Sequence, residues 1–276
     1  MSSLFCRLTT AAVASILLVG CETVTSPKPT PPVLSFTAAD RPEFVVAYYP
    51  YGVCMPRHLA APIPNYTNWT NGRMVRDLRR MQETGFSMVF VCLDSDRAND
   101  EFGLERSLQF LTEAERLGGP KVALLIGPGE TPLRRDVMAR RLLRARIHVA
   151  KQAVKEAERP VVFLRPGTQM MGNSHPAIMF QTLVAKDYVW VTAGQVQGQE
   201  LVRDKGHTLR QGIWAAYRRH ARNIVVTWND FQSGNFVEPN SFDSSLRLNV
   251  VKEEVRRVAS AVAGIARPSA GGEAER

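Results

Sequence analysis

The chain has 276 residues, 45% of them hydrophobic, and a formal net charge of +9. That length and apolar content allow one domain with a sizeable core. The positive excess fits an anionic membrane surface or an acidic polysaccharide. Nucleic acid is set aside, because the basic residues concentrate in "LRRDVMARRLLRARIHVAK", an amphipathic helical pattern without interleaved aromatics that reads as a solvated helix face.

In chain order, Arg7 precedes a small and apolar run from Thr9 to Val19 that ends in "LLVGC". This pattern predicts a secretory signal peptide over residues 1–20, with Cys21 as the residue that receives the lipid, a palmitate-type acyl chain. The run is shorter than the roughly 20 residues that span a bilayer. The expected address is therefore the bacterial cell envelope, lipid-anchored at the periplasmic face or the outer membrane. Residues 21–41, with "ETVTSPKPTPPV", read as an extended tether. The folded domain is expected over residues 42–265, and "ARPSAGGEAER" at 266–276 as a disordered tail.

Within the domain, "EFVVAYYPYG" predicts a first strand, followed by a proline-rich loop from Val53 to Asn68. A helix follows over Asn71–Glu83, with Met74, Leu78 and Met81 on one face and Gly85 as its stop. "FSMVFVCLD" is the second strand, "GLERSLQFLTEAERLG" a helix and "KVALLIGPG" the third strand. An arginine-rich helix is expected over 133–157, then the strand "RPVVFLRPG", a short helix near 177–185, the strand "DYVWVTAG", a helix over 209–220, the strand "NIVVTWND" and a last helix over 248–263. Continuous apolar strands separated by helices predict a buried parallel sheet of the α/β class.

Two features favour a (β/α) TIM-type barrel in one domain over an open doubly wound sheet. Polar residues follow nearly every strand: Tyr49 and Tyr51, Asp94 and Asp96, Glu130, Arg165 and Gln169, Gln195, and Asn229 with Asp230. In a barrel those strand ends converge on one face. The nucleotide signatures GxGxxG and GxxxxGK[ST] are also missing from the sequence. Six clear strands, against the eight of a full barrel, leave two expectations: an incomplete barrel, or two strands too irregular to read.

The segments "VVAYYPYG", "NWTNGRMVRDLRRMQETGF" before "MVFVCLD", and above all "VTWNDFQSGNFVEPNSFD" resemble the endo-α-mannosidase-like glycoside hydrolases of family 99 and their bacterial polysaccharide-locus relatives. Those proteins close with Trp-Asn-Glu-Trp, then Glu-Gly, then Ile-Glu-Pro. A looser likeness exists to family 71 α-1,3-glucanases, whose late strand ends in Trp-Asn-Asp-Tyr-Gly-Glu. The likeness spans most of residues 44–245 in order, with only the late segment specific. It implies that Trp228 and Asn229 match the family, that Asp230 stands at the first carboxylate and Phe231 at the aromatic after it, and that Gly234, Glu238 and Pro239 match again. Ser233 stands where the family's general acid is expected.

Glycoside hydrolysis usually needs one carboxyl group to protonate the leaving oxygen and a second as base or nucleophile. A serine hydroxyl cannot supply the first near neutral pH. Asp230 is therefore the candidate base or electrostatic partner, and Glu238 or Glu130 the candidate substitute acid. Asp94 and Asp96 form a further pair, with helix capping as the competing role for both. Tyr48, Tyr49, Tyr51, Trp69, Trp190 and Trp228 include several aromatics near strand ends, suited to stacking on sugar rings while Asn229, Gln169 and Gln195 bond hydroxyls. Alternation puts Tyr49 and Tyr51 on one side of the strand and Tyr48 on the other.

The five histidines lack metal-ligand spacing, so no metal is expected, and no other cofactor is either; GxSxG is missing, which sets aside an acyl-transfer hydrolase. In the domain, Cys54 and Cys92 are either a disulfide in an oxidising compartment or two separately buried thiols. The sequence thus predicts an envelope lipoprotein whose glycoside-hydrolase-like barrel acts on a polysaccharide or oligosaccharide through Asp230 and Glu238. The substrate-binding set is Tyr49, Tyr51, Asp94, Asp96, Glu130, Arg165, Gln169, Gln195, Trp228, Asn229 and Ser233. The alternatives are a non-catalytic glycan-binding accessory of polysaccharide export or assembly, and a structural envelope lipoprotein.

Overall fold

The structure is a computed structural model and describes residues 41–50, 71–194, 196–197, 200–201, 203–230, 235–240 and 244–265. Among the described residues the main sheet has eight strands, a short antiparallel edge strand at Lys155–Glu156 and seven parallel ones: β1 (Glu43–Tyr48), β2 (Met88–Asp94), β3 (Lys121–Gly127), β4 (Arg159–Leu164), β5 (Met179–Thr182), β6 (Tyr188–Val191) and β7 (Asn223–Thr227). The parallel strands are hydrogen-bonded in the order β5-β4-β3-β2-β1-β7-β6. Read as a ring, this is chain order with one seam, between β5 and β6. The fold is a TIM-type barrel that does not close, one of the two outcomes that the strand count left open. Residues 183–187 alone join the seam strands, and a parallel crossover between paired neighbours needs a dozen or more.

Among the described residues six helices accompany the strands: α1 (Asn71–Thr84), α2 (Ser95–Asn99), α3 (Glu101–Leu117), α4 (Arg135–Arg144), α5 (His207–Arg218) and α6 (Leu246–Ile265). Alternation along each strand separates two cores. Val46, Tyr48, Val91, Ile126, Val226 and Trp228 face the helices, where they meet Met74, Leu78, Met81, Phe110 and Val251. Val45, Ala47, Phe90, Cys92, Leu125, Phe163 and Val225 face the concave side. There Phe90, Phe163 and Tyr188 pack as a trio with ring centroids 5.2–5.7 Å apart. Each such pair contributes about 0.5–1.5 kcal/mol beyond its buried area, and together they fill the barrel beneath its open end.

Two expected elements differ. The short helix near 177–185 is instead strand β5, which lies along β4 from Val161↔Met179 to Leu164↔Thr182. A short apolar run has no decisive period, and the exposed edge of β4 supplies the pairing that settles it. The arginine-rich helix ends at Arg144 rather than 157, because Arg146 turns into the left-handed region (φ 58). Arg146 N–H then bonds the Leu143 carbonyl, and Ile147 N–H bonds that of Leu142. This is a Schellman stop, and it draws Ile147 into the core.

The same two-bond ending closes α1 at Gly85, α3 at Gly118 and α5 at His220 (φ 56). Glycine adopts this backbone without penalty, and other L residues pay about 1 kcal/mol for it. Arg146→Gly is therefore expected to raise stability by about 0.5–1 kcal/mol. Chemical denaturation of the two proteins under identical conditions checks it.

Candidate active site

The open end of the barrel is built outward from the last residues of the strands. Tyr48 turns to the helix side and lies 4.7 Å from the Phe110 ring. Tyr49, next along, turns to the concave side and is half-buried. Its backbone is fixed by Asn229, fully buried two residues past β7. Tyr49 N–H donates to Asn229 Oδ1 (2.8 Å), and Asn229 Nδ2 donates to the Tyr49 carbonyl (2.9 Å). The amide thus extends the β1–β7 ladder by one residue after its last backbone pair, Ala47↔Thr227. Asn229→Ala is expected to leave both Tyr49 backbone groups unpaired and to cost about 2–4 kcal/mol in denaturant titration. Asn229→Gln should recover less than half of that loss, because its longer side chain cannot hold the same pair of bonds.

Arg165 follows β4 and donates from Nη2 to the Tyr49 hydroxyl. Its guanidinium carbon lies 5.0 Å from the Trp190 ring centroid and 5.8 Å from that of Tyr49. Beneath them is Cys92, a buried free thiol whose Sγ–H reaches the Phe90 carbonyl at 3.6 Å. Burial pushes this thiol up to about 11, with Arg165 opposing the shift. On the far wall, Asn235 accepts from Ala193 N–H (2.8 Å) and donates to Thr227 Oγ1 (3.1 Å), tying the ends of β6 and β7 together. These groups enclose an open cavity of about 580 Å³, with Tyr188 and Leu183 at its seam side and Pro128 and Pro166 at its rim. The size falls within the ~300–1,000 Å³ of small-molecule sites.

Of the expected site residues, Tyr49, Arg165 and Asn229 come together here, the first two in the cavity wall and Asn229 as their buried support. Trp228 is fully buried on the helix side. Asp94 caps α2 by accepting from Arg97 N–H. Asp96 accepts from Glu130 N–H, Thr131 N–H and the Thr131 hydroxyl, which hold its carboxyl below the usual range. Glu130 and Gln169 are exposed, and the Gln169 carbonyl accepts from Leu133 N–H. The Asp230 backbone pairs antiparallel with Asn235. Tyr51, Gln195, Ser233, Cys21 and Cys54 lie outside the described residues.

Glu238 is 1% exposed and lies under α1. Its Oε2 is 3.6 Å from Arg73 Nη2, and Arg73 Nε is 3.3 Å from Asp77 Oδ2. Burial pushes the Glu238 carboxyl well above the usual carboxylate range, and Asp77 adds to the shift while Arg73 opposes it. Asp77 is raised to about 6, again chiefly by burial and against the arginines. This cluster anchors the segment after β7 to α1.

Tyr188, Thr227 and Asn235 enter the site without having been singled out in the sequence, and Trp190 moves from one aromatic among several to its central platform. Tyr188 and Trp190 are two apart in "DYVWV", so a single strand face carries both. That alternation was the available signal.

Neither a family model nor a curated protein matches the chain. Among solved structures it is similar to the GH99 endo-alpha-mannosidase from Bacteroides thetaiotaomicron, seen alone and in complex with bis-tris-propane. Both match with a TM-score of 0.58 and 13% identity, covering 80% and 79% of this chain and 99% and 98% of those chains. The chain therefore shares the fold of the GH99 endo-alpha-mannosidases across most of its length.

Proposed function

We propose that the protein is a glycoside-hydrolase-like carbohydrate-binding protein of the bacterial envelope, held by a lipid on Cys21, whose cavity at the strand ends grips a glycan without an efficient cutting apparatus. The observation that carries this reading is the fate of the carboxylates. Glu238 is enclosed with Arg73 and Asp77, Asp94 and Asp96 cap and brace loops, and Ser233 falls where the family resemblance implies a general acid. What lines the cavity among the described residues is aromatic, amide and guanidinium chemistry, suited to stacking on sugar C–H faces and bonding their hydroxyls.

The second reading is hydrolysis with Asp230 as base or electrostatic partner. The fold shared with endo-alpha-mannosidases and the position of Asp230 three residues past β7 favour it. Reducing-end release from α-mannans, α-glucans and the source cell's own exopolysaccharide separates the two. Binding without release is expected, and release that disappears in Asp230→Asn would establish the glycosidase instead.

A further inference from the structure

We infer that the cavity takes an acidic glycan, with the Arg165 guanidinium receiving a sugar carboxylate while Trp190 carries the ring; this rests on the glycan-binding reading above. Two other arginines of the described residues, one buried and one half-buried, are neutralised by carboxylates. Arg73 has Asp77 and Glu238, and Arg210 has Glu253 and Glu254. Arg165 is half-buried in the cavity wall, yet among the described residues no carboxylate lies within 4.0 Å of it. Its neighbours are instead the Tyr49 hydroxyl, the Trp190 ring and the Cys92 thiol. Among the described residues that line the cavity it is also the only charged one.

A cation drawn partly out of water without a counter-charge is costly, and an arriving anion removes the cost. The guanidinium has five N–H donors in a planar fork, of which the Tyr49 hydroxyl takes one. The remaining edge matches the two oxygens of a carboxylate. Stacking against Trp190 and the hydrogen bond to Tyr49 fix the plane of that fork in advance, so little side-chain freedom is lost on binding. Beside Trp190, which carries the ring, Leu183, Ala185 and Tyr188 extend the apolar wall. A carboxylate on the sugar and a stacked ring are thus served by adjacent groups of one wall.

The test is equilibrium binding of the full chain, in mild detergent, to oligogalacturonides and oligomannuronates and to the same oligomers with their carboxyls reduced to alcohols. The acidic oligomer is expected to bind roughly 10- to 100-fold tighter than its reduced counterpart, the span of a charge-assisted bidentate pair. Arg165→Gln should abolish that preference, and Arg165→Lys should keep a part of it that weakens with salt. Thermal unfolding confirms that both variants fold. Equal binding of acidic and reduced oligomers, lowered alike in Arg165→Gln, would overturn the inference. Arg165 would then only brace Tyr49, and glycan binding itself would stand. Failure of every acidic and neutral oligomer to bind would remove the glycan reading and this inference with it.

Discussion

Replacing Arg73 with methionine is expected to destabilise the fold by about 3–5 kcal/mol at neutral pH, read by chemical denaturation. Arg73 is nearly fully buried and sits between two carboxylates that are themselves buried, Asp77 on its own helix and Glu238 on the segment after β7. Methionine fills much of the same volume, so the loss reports the charge rather than a void. Without the guanidinium, two carboxyl groups face each other in a low-dielectric pocket, and the nearby Arg76 and Arg80 remain to offset them. The loss should shrink toward pH 4, where the carboxyls carry protons and no longer need a counter-charge. A loss below about 1 kcal/mol at neutral pH would mean that the cluster is screened like a surface pair.

Asp77→Asn is expected to change how stability depends on pH. Burial raises the Asp77 carboxyl from 3.8 to about 6, against the pull of Arg73 and Arg76. The folded protein therefore holds a proton there that the unfolded chain has already released between about pH 4 and 6. Its contribution is fully present below the unfolded value and is lost as pH rises through the folded one. Asparagine does not titrate, so relative to Asp77→Asn the parent should lose on the order of 2–3 kcal/mol between pH 4 and pH 7. Glu238 shifts in the same direction and shares part of this change. Parallel denaturation curves at both pH values check it, and a parent that gains on the variant as pH rises would contradict the assigned sign.

Much of the barrel was legible because its strands are apolar runs and its helices carry stripes such as Met74, Leu78 and Met81, all fully buried. What the sequence withheld was tertiary. Arg146 and His220 end their helices in a backbone state that glycine usually announces, so those stops carried no local mark. Strand β5 owes its existence to the free edge of β4.

At the site, alternation correctly separates Tyr48 from Tyr49, but it cannot say which side is the cavity. The β1–β7 register supplies that: Ala47 pairs with Thr227, so Thr227 shares the concave side and Trp228 follows Tyr48 into the helix layer. The strand-end Trp228 therefore serves the core, while Trp190 on β6 serves the cavity. Glu238 illustrates the same limit. Its place in a motif says nothing of the direction its side chain takes, and that direction is set by the arginines of α1.

The proposed role of the cavity walled by Tyr49, Arg165 and Trp190 is to hold sugar. It is tested most directly by measuring glycan binding of the parent chain and of Trp190→Ala across a panel of acidic and neutral polysaccharides. Trp190 is 37% exposed, so its removal should leave the unfolding temperature nearly unchanged. The account predicts binding to at least one polymer, weakened roughly 10-fold or more in the variant. Binding that survives Trp190→Ala at full strength would place the sugar elsewhere on the protein and contradict the account.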